Sequence, residues 1–128
     1  MKSNDYSLHG SLATIEDFNG VLCSSIDQAI SDAFSIKVLD SLYLYLRDKH
    51  AISRDEVPYR LEAFLSVLEK LFGVAGSQTI GRLAARILYA HLNLRFEKKP
   101  SFTLLNYVSE AKQLIEADVS APLTRKEL

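Results

Sequence analysis

From Phe18 onward the apolar residues fall at 18, 21, 22, 26, 29, 30, 33 and 34, the three-four rhythm that lays one stripe along a helix. This spacing predicts a first helix over about 15–33, with Thr14 as its cap and Asp17 completing a reciprocal capping box. The next stretch, SIKVLDSLYLYLRDKH at 35–50, carries two patterns at once. Leu42, Leu44 and Leu46 alternate with Tyr43 and Tyr45 as a strand would, but a strand would place Asp40 on the face of Val38 and Leu42. A helix groups Ile36, Leu39, Tyr43 and Leu46 and leaves Lys37 and Asp40 outside, so a second helix is expected.

In AISRDEVPYR, Ser53 and Glu56 have capping-box spacing, and Pro58 lacks the amide proton that a helix interior needs. A short turn at 54–57 and a third helix from about 58 follow, with Leu61, Phe64, Leu65, Leu68, Leu71 and Phe72 as its stripe. Gly73 stands where a left-handed C-terminal cap would fall. The stretch FGVAGSQTIGR at 72–82 places glycines at 73, 76 and 81. A phosphate loop would need Lys then Ser or Thr after its last glycine, and a dinucleotide loop would need Gly-x-Gly-x-x-Gly after a strand. Neither is present, and the stretch is expected to be a corner. After it Ser77 is expected to cap a fourth helix carrying Ile80, Leu83, Ala84, Ile87 and Leu88 and running to about Leu92 or Leu94. Gly81, with Ala84 and Ala85, leaves space for a neighbouring helix. A last helix, starting at Pro100 or capped by Ser101, has Leu104, Leu105, Val108, Ala111 and Ile115 as its stripe.

The fold expected is therefore all-α, a single compact bundle of about five helices. A flexible N-terminal segment is expected at 1–13, the helical domain at 14–119 and a flexible tail at 120–128. Composition agrees with one globular domain: 48% of the 128 residues are hydrophobic and 24% are charged. There is no apolar run of membrane-spanning length and no basic-then-apolar leader pattern, so a soluble cytoplasmic protein is expected. The terminal RKEL departs from a retrieval signal, because Lys126 stands where that signal is acidic. The one cysteine, Cys23, has no disulfide partner in the chain and falls on the first helix's apolar face.

Charge changes the picture more than composition does. The formal net charge is −1, but residues 1–64 carry 6 basic and 10 acidic side chains, and residues 65–128 carry 9 and 6. Such a split favours head-to-tail contacts within one chain or between two. Of the histidines, His50 suits a helix C-terminus, and His91 follows Ile87 and Leu88 onto or beside a core stripe. No two of the three are spaced for a common metal, and neither metal nor cofactor is expected. Asp55 and Glu56 complement a helix dipole, and no serine or cysteine has an identifiable base. An enzyme is accordingly not expected. Arg82, Arg86, Arg95, Lys98 and Lys99 form the one dense basic cluster and are the candidate partner surface.

The stretch Leu42–Phe96, through LYLYL, HAISRDEVP, FLSVLEKLFG and ILYAHLNLRF, resembles the small archaeal domains called Nitrosopumilus output domains. The resemblance implies a helical, non-enzymatic signalling output or protein–protein interaction module, with no catalytic residues to carry over. The partner expected is a protein, including a second copy of this chain, and no membrane. The alternative is a nucleic-acid-binding regulator using the basic cluster, although net basic charge, the usual footprint of such a protein, is missing.

Overall fold

The computed structural model describes residues 15–120. The expected N-terminal segment, Thr14 and the tail from 121 lie outside the described residues. Within them the chain is all-helical: α1 is Ile15–Ala33, α2 is Ile36–His50, a 3-10 turn spans Arg54–Arg60, α3 is Leu61–His91 and α4 is Leu104–Ser120. That makes four α-helices among the described residues instead of about five, and the two helices expected on either side of Gly73 are the two arms of α3, which break at that residue.

α1 lies at the centre, packed against α2, the 3-10 turn and α3, and α4 packs on α3. Its stripe behaves as expected from Phe18 to Ile30, with Phe18, Leu22, Ile26, Ala29 and Ile30 buried around Cys23. The stripe ends there, and Phe34 is exposed. α2 begins where the Ser35 hydroxyl accepts the Val38 amide proton at 3.2 Å, a cap that the second stripe did not suggest. Its buried face is Leu39, Leu42 and Leu46. Ile36, expected in the core, is exposed, and Leu42 takes its place. The helix ends on Ala51 in the left-handed region (φ 55), where the Ile52 amide reaches back to the Leu46 carbonyl at 3.1 Å and Ile52 is buried. The Ala51 amide reaches the Arg47 carbonyl at 3.2 Å, the bond of a left-handed cap, with an alanine in the position that favours glycine.

The Glu56 carboxylate accepts the Ser53 amide at 2.9 Å, as the capping-box spacing predicts. Pro58, however, sits inside a 3-10 turn, and α3 starts at Leu61 instead of 58.

Gly73 has φ 80 and ψ 168. It is not a left-handed cap but a single extended residue with positive φ, a region essentially reserved for glycine. The helix resumes at once, and Ser77 is a buried residue inside α3, not a cap. Leu65 and Glu69 before the break, and Ser77 and Gly81 after it, line one small cleft of about 70 Å³. In a straight helix residues 65 and 81 would stand about 24 Å apart, so the two arms of α3 fold back on each other. Gly76 is also required for this corner: a Cβ there would lie 2.9 Å from the Phe72 Cβ.

At Gly81 an added Cβ would meet the Leu104 Cβ at 3.5 Å, an ordinary contact. Gly81→Ala should therefore fit and gain up to about 1 kcal/mol from helix propensity. Gly81→Leu would press its branches into the start of α4 and should cost about 1–3 kcal/mol. Urea melts of the two variants check both signs.

Candidate functional site

α3 ends where Leu92 caps it, Asn93 takes φ 58 and the Leu94 amide returns to the Tyr89 carbonyl at 2.8 Å. The chain then crosses without regular structure to Thr103. There the Thr103 amide donates to the Asn106 side-chain carbonyl at 2.8 Å, so α4 is capped three residues later than Pro100.

An aromatic cluster holds this connection in place. Tyr107 packs at 5.1 Å from Phe96, at 5.0 Å from Phe102 and edge-on to Tyr89 at 6.1 Å. Its hydroxyl accepts the Lys99 amide proton at 2.8 Å and donates to the Lys99 carbonyl at 3.3 Å. The Tyr89 hydroxyl lies 2.5 Å from Glu110 Oε1 and 2.9 Å from the Tyr107 carbonyl; its one proton is best directed to the charged acceptor. The other Glu110 oxygen accepts from the Lys99 ammonium. Burial, and then the Glu110 contact, pushes the Tyr89 phenol well above its ordinary range. The Lys99 ammonium, followed by the Tyr89 hydroxyl, holds the Glu110 carboxyl below its ordinary value of 4.5.

Because that folded value is depressed, the stabilisation from Glu110 is complete above about pH 4.5 and is lost as pH falls through the lowered value. Thermal melts should therefore show the difference between wild type and Glu110→Gln shrinking below about pH 4.5. A difference that stays constant down to pH 3 would contradict this role.

The five basic residues flank the aromatic cluster but are not equivalent. Arg82 is half-buried and lines the small cleft with Glu69, Gln78 and Thr103. Arg86 is exposed, with its guanidinium carbon 5.5 Å from the Phe96 ring centroid. Arg95 stands 4.0 Å from Glu97, both exposed, and Lys98 is exposed. Lys99 pairs with Glu110 and lies over Phe102 at 4.8 Å. The structure thus brings Arg86 to the connection through Phe96 and pairs Lys99, whose side chain is 36% exposed, with Glu110. His91, expected on or beside the core stripe, is exposed. The buried face of this arm includes Ile80, Ala84 and Leu88, and His91 keeps their register, but it is the last residue of α3. His50 is in the last turn of α2 as expected, its ring 5.5 Å from that of Tyr45.

Cys23 is a core residue. Its thiol lies 3.5 Å from the Arg54 carbonyl, and burial foremost raises its pKa, which reduces the thiolate needed for attack. Among the described residues no group of three or more His, Cys, Asp or Glu is placed to hold a metal ion, and no helix is long and apolar enough to cross a membrane.

A second surface was not legible as such in the stripes. At the end where α1 meets α2 and α3 reverses, Phe34, Ile36, Leu71 and Val74 are 47%, 63%, 44% and 56% exposed. The Phe34 ring stacks on Phe72 at 5.0 Å, which joins the α1 side of this patch to the Gly73 corner. No family model matches the chain, and neither a curated protein nor a solved structure matches it.

Proposed function

We propose that the chain is a non-enzymatic interaction module of the signalling-output kind, which binds a protein partner or a second copy of itself through its helix surfaces. The observation that carries this reading is the apolar patch of Phe34, Ile36, Leu71 and Val74. Single exposed apolar residues are ordinary, but several gathered at one corner mark a contact surface. The resemblance of Leu42–Phe96 to the Nitrosopumilus output domains supports the same reading, and an archaeal signalling role in the cytoplasm rests on that resemblance. The basic cluster has a smaller part. Arg82, Arg86, Arg95 and Lys98 would speed encounter with an acidic partner, because rim charges act mainly on association rate. Nucleic-acid binding has less to rest on, since Lys99 is paired with Glu110 and Arg95 with Glu97.

Ile36→Ser/Val74→Ser should abolish association with little change in the melting curve, since both side chains are more than half exposed. Arg82→Gln/Arg86→Gln should slow association at low salt and resemble wild type at high salt. Light scattering for self-association and capture from native extract for other partners read both effects. Retention on DNA that falls steeply with salt and disappears in the arginine variant would replace this reading.

A further inference from the structure

The reversal in α3 has an unusual construction. Connections between antiparallel helices ordinarily take about 2–8 residues, but here helix continues from Leu61 to His91 with Gly73 alone outside helical geometry. Nothing lies within 4 Å of where a Gly73 Cβ would be, so the reversal depends on the backbone angle of that residue and not on a contact to it. Short hinges under strain invite exchange of elements between copies.

Gly73 also divides the chain by charge. Residues 1–72 carry 7 basic and 11 acidic side chains, a net −4, and residues 74–128 carry 8 and 5, a net +3. The two units attract each other equally well in one chain or across two. Their apolar faces also match: Leu61, Phe64, Val67 and Leu68 from the first arm share one core with Ile80, Ala84, Ala85 and Leu88 from the second.

We propose that the occupant of the hinge patch is a second copy of this chain, bound by exchange of the unit after Gly73 when α3 straightens into one helix of about 46 Å. This rests on the interaction reading and names its partner. Straightening moves Gly73 out of its extended positive-φ state and adds the helical hydrogen bonds missing at the corner. Each copy's second arm then fills the place of the other's, so the core contacts are repeated. Leu71 and Val74, solvated in the folded-back form, lie beside their counterparts where the two hinges cross.

Size-exclusion chromatography with light scattering of the full chain, over about a hundredfold range of concentration, tests this. Gly73→Ala makes no clash, disfavours positive φ and favours helix in both copies, so it should tighten dimerisation by about tenfold or more. The dimer should persist on dilution, because it separates only when the core opens. A Gly-Ser-Gly insertion after Gly73 should give monomer by relieving the hinge. Equal masses for wild type, Gly73→Ala and the insertion at every concentration overturn the exchange. If Gly73→Ala does not fold, the other two decide: a wild-type dimer that the insertion removes supports the exchange, and equal masses overturn it. A dimer lost in Leu71→Ser/Val74→Ser but indifferent to both hinge changes is a surface dimer, which overturns the exchange and leaves the interaction reading standing.

Discussion

Tyr107→Ala should destabilise the protein by about 3–5 kcal/mol, the range for deleting a large buried aromatic side chain, and should release the connection that carries Arg95, Lys98 and Lys99. Tyr107 is almost wholly buried and touches three other rings, so its removal leaves a cavity that α4 cannot close without moving. It also leaves the Lys99 amide and carbonyl without their partner. Tyr107→Phe separates the two contributions. It keeps the packing and removes only the hydroxyl, and should cost about 1–2 kcal/mol. Hydrogen exchange reads the local consequence: the Lys99 amide should lose protection in Tyr107→Phe while the amides of α1 keep theirs. If both variants melt like wild type and Lys99 stays protected, Tyr107 is not what fixes the connection.

The sequence revealed helices far better than it revealed their ends and their mutual contacts. Stripes at three-four spacing identified α1, α2 and α4 because apolar periodicity reflects burial directly. The ends were missed where an uncommon residue does the capping, as at Ala51 with its φ of 55, or where several candidates stand together, as at Pro100, Ser101 and Thr103. The corner at Gly73 was legible from its glycines, but its geometry was not: φ is positive as expected, while a ψ of 168 sets the direction of the second arm. Ser77 then lies too far into that arm to cap it. Leu83 and Ile87, counted on the stripe, are only half-buried, and the true face is rotated toward Gly81, Ala85 and Leu92; His91 keeps the register of Ile80 and Ala84 but is the last residue of α3, where spacing alone does not fix burial. The network of Tyr89, Lys99, Tyr107 and Glu110 had no local signature. Its hydrogen-bonded pairs are separated by 8 to 21 residues, and only the return of α4 onto α3 brings them together. The basic cluster, a dense run in the sequence, proves to mix a structural lysine with solvated arginines for the same reason.

The same kind of long-range contact governs the other end of the molecule, where Asp27→Ala should cost about 2–3 kcal/mol. Asp27 on α1 accepts the Tyr43 hydroxyl from α2 with one oxygen, and with the other it accepts Arg54 of the 3-10 turn, through Nε at 2.8 Å and a terminal guanidinium nitrogen at 2.7 Å. One carboxylate thus joins three elements. Burial foremost, and then the Asp27 hydrogen bond, pushes the Tyr43 phenol far above its ordinary range. Removing the carboxylate leaves a mostly buried hydroxyl without its acceptor, which is the larger part of the loss. Arg54 contributes less, because its side chain is 42% exposed and water can replace much of what it loses. Asp27→Asn makes the distinction sharper. Its amide oxygen can still accept from Tyr43, but its NH₂ then faces a guanidinium that can only donate. Asp27→Asn should therefore fall between wild type and Asp27→Ala in urea melts. A double-mutant cycle of Asp27→Ala with Tyr43→Phe should give a coupling of about 1 kcal/mol or more, and the cycle with Arg54→Gln a smaller one. Raising salt should weaken the Arg54 coupling and leave the Tyr43 coupling nearly unchanged, because only the first involves solvated charge. Additive costs in both cycles would mean that Asp27 acts on α1 alone, and that buried Ile52 and Val57 hold the 3-10 turn in place without it.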